Sequence, residues 1–188
     1  MLKSFLQSFQ ILQEADIEDF ILQTTPRTLE KSDFLIREGE TSKEVVFLLS
    51  GIFRSYYLAE NGDEITYCFS FPGTMMTAYS SFITGLPSVE NIQAITPTQF
   101  LSISKDKIKA MEQNNPSWIR FLKIAAEQNY IYLEKRFFQM QKNNASQRYH
   151  MLTKDQPEYL QQIPLQYLAS YLGITQRHLS RIRKEVYF

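Results

Sequence analysis

From Ser117 to Asn143 the chain runs 27 residues without a Gly or a Pro. A stretch of that length with no helix breaker predicts one long helix. Asn114-Asn115-Pro116 stops whatever precedes it, and Ser117 is the expected N-cap, because its hydroxyl can accept from an otherwise orphaned amide. Phe121, Ile124, Gln128, Ile131, Lys135 and Phe138 follow a 3-4-3-4-3 spacing. Leu122, Ala126, Leu133, Phe137 and Met140 form a second apolar line. Two stripes predict two packing surfaces: one against the β unit that precedes the helix, the other against a partner helix. The line from Phe121 to Phe138 is the candidate homodimer seam. A single wide stripe packed within one monomer is the alternative.

Upstream of that helix the apolar period changes. Phe5, Phe9, Leu12, Ile17, Phe20 and Ile21 recur at helical spacing, so residues 5–24 read as helix, ended by Pro26. From Thr28 onward, short runs rich in β-branched and aromatic residues take over: Val45 to Leu49, Ile52 to Leu58, and Ile65, Tyr67 and Phe69 in alternation. Gly39-Glu40, Ser50-Gly51 and Asn61-Gly62-Asp63 separate them, which reads as an all-β unit. Asn61-Gly62 is a hairpin signal, since both residue types tolerate positive φ. Phe71-Pro72-Gly73 interrupts the pattern, and residues 74–86 read as a loop with a short helix. Ile92 to Ile95 and Phe100 to Ile103 resume it. Ser104-Lys105-Asp106 opens a short helix.

Beyond the long helix, Asn143-Asn144-Ala145-Ser146 reads as a hinge, Arg148 to Leu152 as a helix, and Pro157 to Gln162 as a short helix or turn. The segment from Leu165 to Lys184 has the spacing of a helix-turn-helix. Counting Leu165 as first, Ala169 is fifth, Gly173 ninth, Leu179 fifteenth and Ile182 eighteenth. Ala169 is small where two helices cross. Gly173 supplies positive φ at the turn. Leu168, Leu172, Ile174, Leu179 and Ile182 form the core that fixes the interhelix angle, and Thr175 is a ready N-cap. The second helix, about 175–187, then points Gln176, Arg177, Ser180, Arg181 and Lys184 outward. Arg and Gln read guanine and adenine edges in the major groove, with base contacts mostly from the N-terminal part of a recognition helix. Gln176, Arg177 and Arg181 are therefore the candidate base readers. Thr175, His178, Ser180, Arg183 and Lys184 are the candidate phosphate contacts. The plain alternative is a helical hairpin with a solvated basic face.

Charge agrees with that division. The formal net charge is zero, from 20 Lys/Arg against 20 Asp/Glu. Residues 1–115 hold nine Lys/Arg against fifteen Asp/Glu, residues 116–144 five against two, and residues 145–188 six against three. A basic rear half is the electrostatic footprint of nucleic-acid binding. Other classes fall away. One cysteine, Cys68, excludes an internal disulfide or a four-cysteine cluster and fits a cytoplasmic setting. No apolar run reaches the length of a membrane span, and Met1 to Gln7 lacks the features of a signal peptide. With two histidines, no nucleophile–base pair, no metal-ligand spacing and no phosphate loop, neither an enzyme nor a metal or cofactor site is expected.

The order of β unit, long helix and C-terminal reader resembles the cyclic-AMP receptor protein / fumarate-nitrate regulator (Crp/Fnr) superfamily over nearly the whole chain. The β part resembles it in Ile36-Arg37-Glu38-Gly39-Glu40, in Phe47 to Arg54, and in Phe71-Pro72-Gly73 leading to Ser88 through Ala94. The stretch from Arg148-Tyr149 through Pro157 to Ile163–Lys184 resembles the branch common in Bacteroidetes. The resemblance implies homodimers joined along the long helix and two DNA half-sites about one helical turn apart.

It also locates an effector pocket, near Met75, Tyr79, Ser81, Phe82, Asn91 and Gln93, although the plain and preferred reading of the same residues is β-roll core. Members that bind cyclic AMP carry a Gly-Glu pair for the ribose and an Arg-Ser pair for the phosphate. Here those regions read Gly73-Thr74-Met75-Met76 and Pro87-Ser88-Val89-Glu90. The glutamate and arginine are missing, and Glu90 would repel an anion that needs a positive or amide-rich seat. Another small effector, or none, is expected. Cys68 alone cannot hold an iron–sulfur cluster, and His150 and His178 lie outside the β part, away from any haem. Relatives often continue into a β-hairpin wing; the sequence ends at Phe188, which predicts fewer phosphate contacts.

The expected fold class is α+β: an N-terminal cyclic-nucleotide-binding-like β-roll with flanking helices (1–115), a long dimerisation helix (116–144) and a C-terminal helix-turn-helix (145–188). The expected function is a homodimeric, sequence-specific regulator that binds double-stranded DNA, with a small-molecule effector in the β-roll shifting the population between two arrangements of the readers. A cyclic-nucleotide-binding module acting on protein partners is the alternative.

Overall fold

The computed structural model describes residues 1–186. Tyr187, expected in the recognition helix, and Phe188, the expected end without a wing, lie outside the described residues. By packing, the chain forms two compact units: Met1–Tyr57 with Phe69–Glu127, and Leu58–Cys68 with the residues from Gln128 onward.

The first unit opens with two helices, α1 (Leu2–Ser8) and α2 (Glu14–Gln23), where the sequence suggested one. The amides of Phe9 and Gln10 turn back to Leu6 O and Gln7 O, and Gln10 takes φ +55°. That break lets Ile11 reach the same core as Phe5, Phe9 and Leu12, from which a straight helix would turn it away. The Asp16 carboxylate accepts from the Gln13 amide at 3.3 Å and restarts the chain as α2.

Eight strands follow: β1 (Thr25–Leu29), β2 (Phe34–Ile36), β3 (Glu44–Ser50), β4 (Phe53–Leu58), β5 (Glu64–Ser70), β6 (Met75–Met76), β7 (Asn91–Ala94) and β8 (Thr98–Ser104), with α3 (Tyr79–Thr84) between β6 and β7. They form two four-stranded sheets, β1-β8-β3-β6 and β2-β7-β4-β5. Pro26 is tolerated because β1 is an edge strand. The run Val45 to Leu48 is apolar throughout because β3 is covered on both faces. Val45 and Phe47 pack with α1, α2, α4 (Lys105–Asn114) and the start of α5 (Pro116–Lys142). Val46 and Leu48 pack between the sheets with Phe53, Ile92 and Phe100. Gly51 has φ +86°, and a Cβ there would lie 2.3 Å from Pro97 O, so only glycine fits. In the β4–β5 hairpin Gly62 alone takes positive φ. Asn61 contributes through its side chain, which accepts from the Asp63 amide at 3.1 Å.

The long helix starts two residues before the point that an N-cap at Ser117 implies. Pro116 is its first residue, and the Asn115 side chain, not Ser117, caps it by accepting from the Ser117 amide at 2.9 Å. The second unit continues with α6 (Ala145–Asp155), α7 (Pro157–Gln162), α8 (Leu165–Tyr171) and α9 (Gln176–Val186). The hinge is two residues long. Asn144 caps α6, accepting from the Gln147 amide at 2.9 Å while its own amide donates to Gln147 Oε1. Among the described residues no helix is long and apolar enough to cross a membrane.

Candidate nucleic-acid interface and effector region

Helices α8 and α9 are set by a turn whose residues each do one thing. The amides of Gly173 and Ile174 donate to Ser170 O and Ala169 O at 2.9 and 3.0 Å, which closes α8. Gly173 takes φ +66°. Thr175 Oγ1 accepts from the His178 amide at 3.2 Å and caps α9. Leu168, Ala169, Leu172, Leu179 and Ile182 are buried beneath the turn. Each large side chain there contributes roughly 1.5–3 kcal/mol by leaving water. That core fixes which face of α9 is left outside. Thr175, Gln176, Arg177, Arg181 and Lys184 are exposed; His178, Ser180 and Arg183 are half-buried. Arg177, Arg181 and Lys184 recur at four and three residues and so share one face. Arg181 makes one loose exposed pair, Nε to Glu185 Oε1 at 3.9 Å, worth only a few tenths of a kcal/mol.

The α5 line divides. Phe121 is 1% exposed and belongs to the core of the first unit, against Phe9 at 4.8 Å between ring centroids. It cannot face a partner, because the apolar contact is already made within the chain. Ile124 is half-buried, and Gln128 and Lys135 are exposed. Ile131 is 62% and Phe138 44% exposed, and Tyr130, Leu133 and Phe137 are exposed near them. A hollow of about 320 Å³ lies beside Ile131 and Phe138.

The expected effector residues do not converge on one cavity. Met75 and Phe82 pack into the helix-side core. Tyr79 is exposed. Ser81 Oγ donates to Leu86 O at 2.6 Å and accepts from the Ser42 amide at 2.9 Å. Asn91 Oδ1 accepts from the Glu38 amide at 3.0 Å, and Gln93 Nε2 donates to Ser32 O at 3.1 Å. At the expected phosphate seat, the Ser88 and Gly39 amides are bonded to Glu40 O and Ser88 O. The Ser88 hydroxyl donates to Glu90 O, and Glu90 is itself only 8% exposed. With these donors already engaged within the chain and an acidic residue, Glu90, buried next to them, the seat is poorly suited to a cyclic phosphate.

Sequence reasoning missed three features. Arg54 of β4, 1% exposed with its guanidinium over the Tyr56 ring at 4.1 Å, is the largest fully buried side chain. Its signal was a charge inside the apolar run from Ile52 to Tyr57. The buried Tyr159 of α7 and Tyr171 of α8 form a cluster with the half-buried Tyr132 of α5, beside Cys68. Burial raises all three hydroxyl pKa values above the ordinary range, and Tyr132 hydrogen-bonds the other two. Arg136 and Arg148 hold the carbonyls that end α8. Nothing in the sequence pairs residues so far apart.

Comparison with known proteins agrees with this geometry. Residues 26–115 match the family described as the cyclic nucleotide-binding domain. That segment carries the cyclic nucleotide-binding domain fold. FixK2 from Bradyrhizobium japonicum superposes with a TM-score of 0.76 at 17% identity, over 87% of this chain and 84% of that one. CLP from Xanthomonas campestris, a c-di-GMP-responsive global regulator, gives 0.74 at 17%, over 93% and 91%. The catabolite activator protein of Thermus thermophilus gives 0.57 at 17%, over 93% and 84%. No curated protein matches in sequence. The expected architecture is therefore present: the cyclic nucleotide-binding domain fold, then a long helix, then further helices, as in these three structures.

Proposed function

We propose that the chain is a homodimeric, cytoplasmic, sequence-specific DNA-binding transcription regulator of the Crp/Fnr type. The observation that carries this reading is the face of α9, where Gln176, Arg177 and Arg181 stand exposed behind a capped turn and a closed core. Side chains on that face reach base edges when the helix lies in the major groove. The exposed apolar strip of α5 from Tyr130 to Phe138 supports a second copy as partner, since paired long helices bury such a strip. An effector in the β-roll would shift the population between two arrangements of the readers, provided it binds them with different affinities. The seat at Ser88–Glu90 argues that this effector is not a cyclic nucleotide.

Fluorescence anisotropy with labelled duplexes tests the reading. Binding should weaken steeply as salt rises, and Arg181→Ala should cost about 1–3 kcal/mol on a preferred duplex. The match of residues 26–115 favours one second reading, a cyclic-nucleotide-binding module acting on protein partners. It predicts the reverse: tight cyclic nucleotide binding and no affinity for DNA.

A further inference from the structure

Two arginines of the second unit line one cavity without an ion pair among the described residues. Arg136 of α5 donates to Tyr171 O, and its guanidinium lies 3.6 Å from the Tyr171 ring centroid. Arg148 of α6 donates through Nε to Leu172 O at 3.0 Å and through Nη1 to Asn143 O at 2.5 Å. Tyr171 ends α8 and Leu172 caps it, so both arginines serve carbonyls that a helix end leaves without an intrahelical partner. That work uses only part of each five-donor guanidinium. Neither forms an ion pair among the described residues. Burial first, and the charge of Arg136 second, lower the Arg148 pKa.

Both arginines line a cavity of about 390 Å³. Lys135 adds a third cation to its wall; Asp155 is a single carboxylate, and Gln139 and Gln156 contribute amides. We propose that this cavity is an anion site for a small phosphorylated effector, held by Arg136, Arg148 and Lys135 at the end of α8. A phosphate group offers the several acceptor oxygens that forked guanidiniums match, and its charge offsets two like charges that the fold sets close together. The volume lies near the lower end of small-ligand sites, about 300–1,000 Å³, which admits a molecule of nucleotide size or smaller. The bound anion would share the arginines that fix the end of α8. Arg148 Nη2 lies 3.8 Å from the point a Cβ on Gly173 would occupy, so the site abuts the turn into α9. The site stands whether or not α9 reads DNA, because its donors belong to α5 and α6.

Isothermal titration of the full chain with inorganic pyrophosphate, at ionic strength fixed with sodium chloride, tests the site. Saturable binding is expected. Lys135→Gln should weaken it about fivefold and Asp155→Asn should tighten it by a similar factor, as one partly exposed charge allows. Both side chains are exposed, so both variants should fold, and Asp155 lies off the α5 line. No saturable heat, or identical affinity in both variants and the parent, overturns the proposal. So does a Lys135→Gln variant that loses affinity for a random duplex while keeping its pyrophosphate affinity, because the cavity would then serve the DNA backbone.

Discussion

Ser170 of α8 clasps the β4–β5 hairpin: its Oγ donates to Glu64 O at 2.7 Å and accepts from the Thr66 amide at 2.9 Å. The tip of that hairpin, Leu58–Cys68, belongs with α8 to the second unit, so the clasp lies within one unit. Ser170→Ala removes both bonds and takes this acceptor from a buried amide. The expected loss is about 1–3 kcal/mol in urea denaturation, with faster hydrogen exchange at the Thr66 amide. Unchanged protection there would show that the clasp does not order the hairpin.

Glycine substitutions should be graded by what the new Cβ meets. Gly51→Ala puts a methyl 2.3 Å from the Pro97 backbone oxygen at φ +86°, and neither atom has room to move. Gly173→Ala, at φ +66°, comes too close only to the flexible end of Met140, at 2.8 Å, with Arg148 Nη2 at an ordinary 3.8 Å. Thermal denaturation should rank Gly51→Ala as much the more damaging. Gly173→Ala should lose about 1–2 kcal/mol from the left-handed backbone alone.

Alkaline pH should destabilise the tyrosine cluster. Burial raises the Tyr132, Tyr159 and Tyr171 pKa values in the folded state. The unfolded chain releases those protons near pH 10. Above that point it binds fewer protons than the folded chain, so stability falls as pH rises. Full stability is expected below about pH 10. Ultraviolet titration should find three tyrosines ionising only as the protein unfolds. Tyr132→Phe, which removes hydrogen bonds to the other two, should destabilise the fold even at neutral pH, by about 1–3 kcal/mol.

The strip on α5 should behave as an interface and not as core. Ile131→Glu or Phe138→Glu changes residues that are 62% and 44% exposed. Analytical ultracentrifugation should find a dimer in the parent chain and monomers in either variant. Circular dichroism should be unaltered. Phe121→Glu, by contrast, should unfold the first unit, because Phe121 already packs with Phe9 and Trp118.

Local chemistry made part of this legible in the sequence. The turn between α8 and α9 needed a glycine at 173, a small residue at 169 and a cap at 175, and each requirement is met by residues adjacent in the chain. The strands were legible because turn residues punctuate them. The rest depended on partners distant in sequence. Residues 5–24 have helical spacing throughout, yet the shape of the core breaks them at Gln10. Phe121 fits the spacing of the seam, but the position of Phe9 and Trp118 decides that it faces inward. Tyr132, Tyr159 and Tyr171 sit on three helices, and no short-range pattern joins them. At the expected effector seat the sequence flagged Glu90, while the bonds that engage its neighbours needed the fold.

The most direct test of the central claim is selection of bound duplexes from a random pool by the full-length protein. The account predicts an enriched, two-fold symmetric site with half-sites about 10–10.5 base pairs apart, lost when Arg177 and Arg181 are both replaced by alanine. A pool that shows no enrichment, or the same enriched site with the double variant, would contradict it.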